Sequence, residues 1–265
     1  MPNGGPDRGP ESATSPYPGT MKSQASYSLR AENVAERLGA LAAALLFLHV
    51  LTVQILFNES LGLVDRLRIE YWQLSVFDLD QEAGFGTWFS AGMLLFAGLL
   101  LLHQAKTLRT QGSREDLWWH ILGTGFCVLS MDEVVGIHEW LNTLLEKTDW
   151  TVYGFAIFVI LSVAYLPFLW RHRGRLALLF VLAAAVYGGG AVGVEHFTDG
   201  RVDTLHYNMW TTLEEGMEMS GVIIFIYAIL DHLRGDPDQV IRIEVGLEDQ
   251  AGEQSEDRLG NRIEG

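Results

Sequence analysis

Three short stretches hold most of the groups that could do chemistry: "SMDEVVGIHEW" (130–140), "VEHF" (194–197) and "TTLEEGMEM" (211–219). They supply Asp132, Glu133, His138 and Glu139, then Glu195 and His196, then Glu214, Glu215 and Glu218. Carboxylates and imidazoles together suit Zn, Fe or Mn better than soft thiolate-seeking metals. The spacing matches no established catalytic signature. Paired Glu-x-x-His motifs, which mark carboxylate-bridged di-iron bundles, are missing, as is a His-x-x-x-His zinc pair. A metal site would therefore be assembled between segments, with Glu133, His138, Glu195, His196, Glu214 and Glu218 as ligands. Asp132, Glu139 and Glu215 would support those ligands or act as general bases.

The segments that carry these residues are apolar. The chain has 265 residues, 49% of them hydrophobic, yet a formal net charge of −15. Location resolves the conflict. Residues 1–33, rich in Pro, Gly and Ser, are expected to be a disordered tail, and Met21 is an alternative start. Residues 235–265 form an acidic tail. Between them, residues 34–234 contain six windows long enough to cross a bilayer as helices: 37–57, 84–104, 117–145, 152–170, 176–198 and 208–233. The expected fold is all-α, a six-helix transmembrane bundle. Lys106, Arg109, Arg114, Arg171, Arg173, Arg175 and Arg234 fall on one side of it, so the positive-inside rule places both termini in the cytoplasm. Leu63, Leu67, Tyr71 and Leu74 recur at helical spacing and predict a short helix on the outer surface. "QVIRIEVGL" (239–247) alternates like a strand but lacks an evident partner.

On a continuous helix, Thr211, Glu214, Glu215 and Glu218 occupy one arc of about 100°. Asp132 and Glu139 share a face on the third span, with Glu133 and His138 on its shoulders. Both faces should turn inward, because a carboxylate at the bilayer centre costs roughly 2.5–3.5 kcal/mol. Five such acids would cost on the order of 12–17 kcal/mol, beyond a typical net stability. No Lys or Arg occurs in the central part of any span. Nearby bases are limited to His138, His196, His206, and Arg66 or Arg201 from outer loops. Bound metal, protonated carboxyls or entering water would each solve the problem. The corresponding functions are a metal-dependent hydrolase or oxidoreductase on a membrane-resident substrate, a proton or cation relay in a transporter or accessory subunit, and a structural polar core. Asp78, Asp80 and Glu82 lie just outside the second span, as a turn leading into that helix or a roof over the cluster.

Several classes are excluded. No basic patch suits nucleic acid, and "GGGAVG" (188–193) lies in an apolar segment without the strand that a dinucleotide site requires. Close helix packing accounts for it better. The single cysteine, Cys127, rules out an intrachain disulfide and a thiolate-rich metal site. The expected partner is the lipid bilayer.

The stretches "FDLDQEAGFGTWFSAGMLL", "LSMDEVVGIHEWL" and "LEEGMEMSGVIIFIYAIL" resemble a group of uncharacterised bacterial multi-pass membrane proteins. The resemblance covers about residues 78–230. It implies a bacterial plasma-membrane protein with a recurring acid–histidine pattern, and it implies no activity.

Overall fold

The structure, a computed structural model, describes residues 26–28, 30–58, 60–81, 83–145, 150–197, 204–234 and 242–244. Most of the two expected tails lies outside these residues. Within them, β1 (Ser26–Ser28) and β2 (Arg242–Glu244) form an antiparallel pair, with Tyr27 opposite Ile243. The strand pattern in "QVIRIEVGL" thus finds its partner near the other end of the same chain. The pair belongs to a small unit of its own.

The second unit, residues 29–241, is helical. Its long helices are α1 (Ala31–Phe57), α4 (Phe85–Thr110), α5 (Asp116–Val135), α7 (Trp150–Arg171), α8 (Arg175–Gly188) and α10 (Leu205–Arg234). The expected outer-surface helix is two short ones, α2 (Leu63–Leu67) and α3 (Tyr71–Leu74), followed by a 3-10 turn, Ser75–Phe77. Five segments are long and apolar enough to cross a membrane: α1, α4, α7, α8 with its continuation, and α10. That is the make-up of a multi-pass membrane protein. The third expected window does not qualify by itself. Instead of one helix over 117–145, α5 ends at Val135 and α6 (Ile137–Leu145) begins after a break at Gly136.

Gly136 adopts φ 64°, the left-handed conformation that glycine enters without steric cost, and its N–H donates to the Asp132 carbonyl at 2.7 Å. This helix-ending geometry re-aims everything after it. Asp132 and Glu139 consequently do not share one continuous helix face, as the spacing alone suggests.

α5 is clamped to α4. A Cβ on Gly98 would lie 3.0 Å from the Gly123 carbonyl, and one on Gly123 would lie 3.0 Å from the Gly98 carbonyl. The two backbones therefore touch, as small residues permit between membrane helices. Cys127 packs against the same Gly98, and Ser130 Oγ donates to the Ala91 carbonyl at 2.8 Å.

Ion pairs define one end of the helical unit. Arg234 on α10 pairs with Glu32 on α1 at 3.2 Å, and Arg175 on α8 with Asp231 on α10 at 2.7 Å. Arg171 and His172 both reach Glu115, just before α5, at 3.4 Å. Above this layer sits an aromatic block. Trp119 is fully buried among Phe168, His172, Phe180 and His232, and Phe225 packs on both Phe126 and Phe180. Large rings thus fill the interior between α5, α7, α8 and α10 at this end.

Candidate functional site

At the opposite end the interior turns polar. The last helical stretch before the chain returns to α10 is a π-helical turn, Gly189–Val194, leading into the short α9 (Glu195–Phe197). Wider π turns are rare, and they recur where a helix must re-aim side chains at a functional site. Here the glycines set the distance. A Cβ on Gly190 would lie 2.8 Å from the Glu214 carbonyl and 3.1 Å from Glu218 Cγ. The turn therefore presses against the acidic stretch of α10. The glycine run is a packing device, as its sequence setting predicts.

The expected acids come together across three elements. Glu218 on α10 lies within electrostatic reach of Glu215 and Glu214, of Glu133 on α5, and of Glu195 on α9. Glu215 has the same neighbours and adds Asp80. Glu214 interacts with Glu195, Asp80 and His138 on α6. All these side chains except Asp80 are half-buried, and Asp80 and His196 are exposed. No Lys or Arg occurs on α5, α6, the π turn or α9, and α10 carries only Arg234 at its far end.

Asp132 and His138 form the best-defined pair. Asp132 Oδ1 accepts the His138 backbone N–H at 3.0 Å, and Oδ2 faces His138 Nδ1 at 3.1 Å. The carboxylate thus sits on the N-terminus of α6, where backbone N–H groups and the helix dipole stabilise negative charge. Donation from Nδ1–H places the lone pair of the neutral ring on Nε2, the orientation that a carboxylate imposes on metal-binding histidines. His196 Nδ1 lies 3.1 Å from Thr151 Oγ1 on α7. Glu139 is on α6, but its side chain is outside the described set.

Two residues that the sequence did not single out complete the site. Tyr187, on the last turn of α8, lies within electrostatic reach of Glu218, Glu133, Asp132 and Glu215. Its position immediately before the glycine run was the available signal. His49 on α1 is fully buried. Its Nδ1 accepts the Leu79 backbone N–H at 3.0 Å, so the proton sits on Nε2, which donates to the Asn208 carbonyl at 3.3 Å. A histidine inside "LLFLHVLTV" is the signal here, since buried polar groups need partners.

His49 ties down the loop before α4, and that loop covers the acidic end. Asp78 is buried beside His49, accepts from the Tyr71 hydroxyl at 3.2 Å, and holds the Asp80 N–H at 3.2 Å. Asp80 in turn accepts from the Tyr207 hydroxyl on α10 at 3.0 Å. The segment fits both sequence readings: the Gln81 N–H donates to the Asp78 carbonyl in a turn just before α4, and Asp80 reaches across to α10; Glu82 lies outside the described residues. Burial, the largest influence, raises the Asp80 carboxyl above its ordinary value, and the charge of Asp78 adds to this; the Tyr207 hydrogen bond acts in the opposite direction.

Among the described residues, no three His, Cys, Asp or Glu side chains are grouped so that they could hold a metal ion as they stand. The carboxylates are neighbours without converging on one point.

No curated protein and no solved structure matches the chain. A family model does, over residues 38–233, which takes in every helix that bears the acids and the roof above them. By that match the chain belongs to the family described as domain of unknown function DUF8692.

Proposed function

We propose that the protein is a six-span protein of the bacterial plasma membrane, with both termini in the cytoplasm, whose outward-facing acidic chamber binds a divalent cation. Zn, Fe or Mn suits the donors. The observation that carries this reading is the meeting of Glu133, Glu195, Glu214, Glu215 and Glu218 from three elements, with His138 beside Glu214. Like charges in a medium of low dielectric demand a counter-ion.

Two observations support six crossings. The Arg234–Glu32 pair puts the start of α1 and the end of α10 at the same end, which requires an even number. α5 runs from Glu115 at the ion-paired end to Asp132 and Glu133 among the acids, and so supplies the sixth. The ion-paired end carries Arg171, Arg173, Arg175 and Arg234, which favours the cytoplasm for it. The aromatic block around Trp119 and Phe225 then closes the inward route, and access is from the outer side, beneath the loop that carries Asp78 and Asp80.

The chemistry proposed for the chamber is metal-dependent hydrolysis or oxidoreduction of a membrane-resident substrate. A bound divalent cation would acidify a water molecule. Asp132 would orient His138, and Glu133 or Glu215 would take up the proton. Tyr187 would offer a hydrogen bond to a developing oxyanion.

Metal content of the detergent-purified protein, prepared without chelator, tests the reading. The expected result is about one equivalent in the wild type, with loss in Glu218→Ala and His138→Ala. A wild type without stoichiometric metal overturns it. The absence of a ready-made ligand trio among the described residues favours a second reading, in which protons neutralise the acids and the protein relays protons or cations. Protonated carboxyl bands in the infrared near neutral pH, from metal-free protein, support that reading. A polar core that only fixes helix packing predicts neither signal.

A further inference from the structure

His49 holds the loop before α4 through one ring nitrogen that faces two mutually exclusive partners. The residue lies in "LLFLHVLTV" (45–53), which contains no other titratable group, and it is fully buried. Its Nδ1 accepts the Leu79 N–H at 3.0 Å and lies 3.4 Å from Asp78 Oδ1. The first contact needs a lone pair on Nδ1. The second becomes a hydrogen bond only when Nδ1 carries a proton. Nε2 donates to the Asn208 carbonyl in either case, so the choice is made at Nδ1 alone.

The surroundings supply an acceptor for that proton. Asp78 is buried, and both its oxygens act as acceptors, Oδ1 from the Asp80 N–H and Oδ2 from the Tyr71 hydroxyl. Asp80 lies within electrostatic reach of the ring and is itself bonded to Tyr207 of α10. The Ser75–Phe77 turn, which packs on α1, has no titratable group, and α2 carries Asp65 and Arg66. The charged groups nearest the ring are thus carboxyls, which suit a cation. Tyr71 is 43% exposed, so the Tyr71–Asp78 bond links the buried ring to the surface. Leu79, the competing partner, is seated against Gly86 on the first turn of α4, where no room remains for a Cβ.

We propose that His49 is a proton-operated catch on the loop that covers the acidic end. With Nδ1 unprotonated, the Leu79 N–H is held and its side chain stays against Gly86. On taking up a proton, Nδ1 donates to Asp78 Oδ1 instead, and the Leu79 N–H loses its acceptor. Leaving a buried donor unpaired is costly, so the Leu79 segment moves until its N–H meets water. Asp78 meanwhile keeps the loop attached to α1. Acidification therefore loosens the cover without detaching it. The catch works in the same way whether a metal or protons neutralise the acids beneath.

The test is amide hydrogen exchange of the full chain in nanodiscs, followed by NMR at about pH 7.5 and about pH 5 and corrected for the intrinsic pH dependence of exchange. In the wild type, protection of the Leu79 amide should fall at least about tenfold at the lower pH, while the Leu94 amide inside α4 keeps its protection. His49→Asn offers Leu79 an oxygen acceptor that takes up no proton in this range, and should abolish the response. Asp78→Asn removes the carboxylate to which the charged ring turns, and should abolish it too if His49→Asn does not fold. Asp80→Asn should keep the response, which separates the catch from titration of Asp80. Unchanged Leu79 protection in the wild type, an equal fall in His49→Asn or Asp78→Asn, or loss of the response in Asp80→Asn overturns the proposal.

Discussion

At the scale of single residues, the site is built from groups whose charge is handled locally. Asp132 needs no lysine because the N-terminus of α6 and His138 hold its two oxygens. The roles of the two His49 nitrogens are set by geometry, since one accepts from Leu79 and the other donates to Asn208. Asp80 is the case with a pH signature. Burial raises its folded pKa above the ordinary 3.8, so the ionised form is the one that folding disfavours. The resulting penalty is absent well below the unfolded value, grows as pH rises through the folded one, and is complete above it. Asp80→Asn keeps an acceptor for Tyr207 and removes the charge. It should be the more stable protein at neutral pH, with the advantage shrinking as pH falls toward about 4. Thermal unfolding of both proteins in detergent across that range checks this, and a variant less stable than the wild type at neutral pH contradicts it.

At the scale of elements, glycines set the distances that bring the acids together. Gly98 and Gly123 let α4 and α5 touch, Gly136 ends α5 so that α6 can cap Asp132, and Gly190 lets the π turn reach α10. The last of these gives a sharp contrast. Gly190→Val drives its Cβ into the Glu214 carbonyl, 2.8 Å away, and backbone cannot yield as a flexible side chain can. Overpacking of this kind costs about 1–3 kcal/mol. Gly193→Ala lies in the same turn, where a Cβ would meet nothing within 4 Å, and should cost well under that. Chemical denaturation of the pair measures the difference. Equal stabilities would show that the π turn does not bear on α10.

At the scale of the molecule, the side on which each loop lies decides whether α5 crosses the membrane. In a Cys127→Ala background, Ser60→Cys should react with an impermeant maleimide added outside intact cells. Gln111→Cys and Arg173→Cys should react only after permeabilisation. If α5 does not cross, Gln111 and Arg173 fall on opposite sides, and the labelling pattern distinguishes the two arrangements. This matters for function, because labelling that puts the acidic end outside would mean that its substrate arrives from outside or from the bilayer.

The helical membrane architecture was legible in the sequence because bilayer thickness and hydrophobicity act on local stretches of chain. That the chain belongs to an uncharacterised family was legible too, and the family match spans residues 38–233. Glu133, Glu195, Glu214, Glu215 and Glu218 lie within electrostatic reach of one another without converging on one point, since carboxylates that avoid lipid have only the interior to occupy. Distances between helices were not legible. Neither the break at Gly136 nor the π turn at Gly189–Val194 shows in residue periodicity, since each depends on which backbone lies opposite. His49 was passed over because its partners, Leu79 and Asn208, are 30 and 159 residues away. The chain alone determined which groups must leave the lipid. Tertiary packing decided which neighbours they met, because backbone-to-backbone contact and the caps at helix ends exist only between elements already assembled.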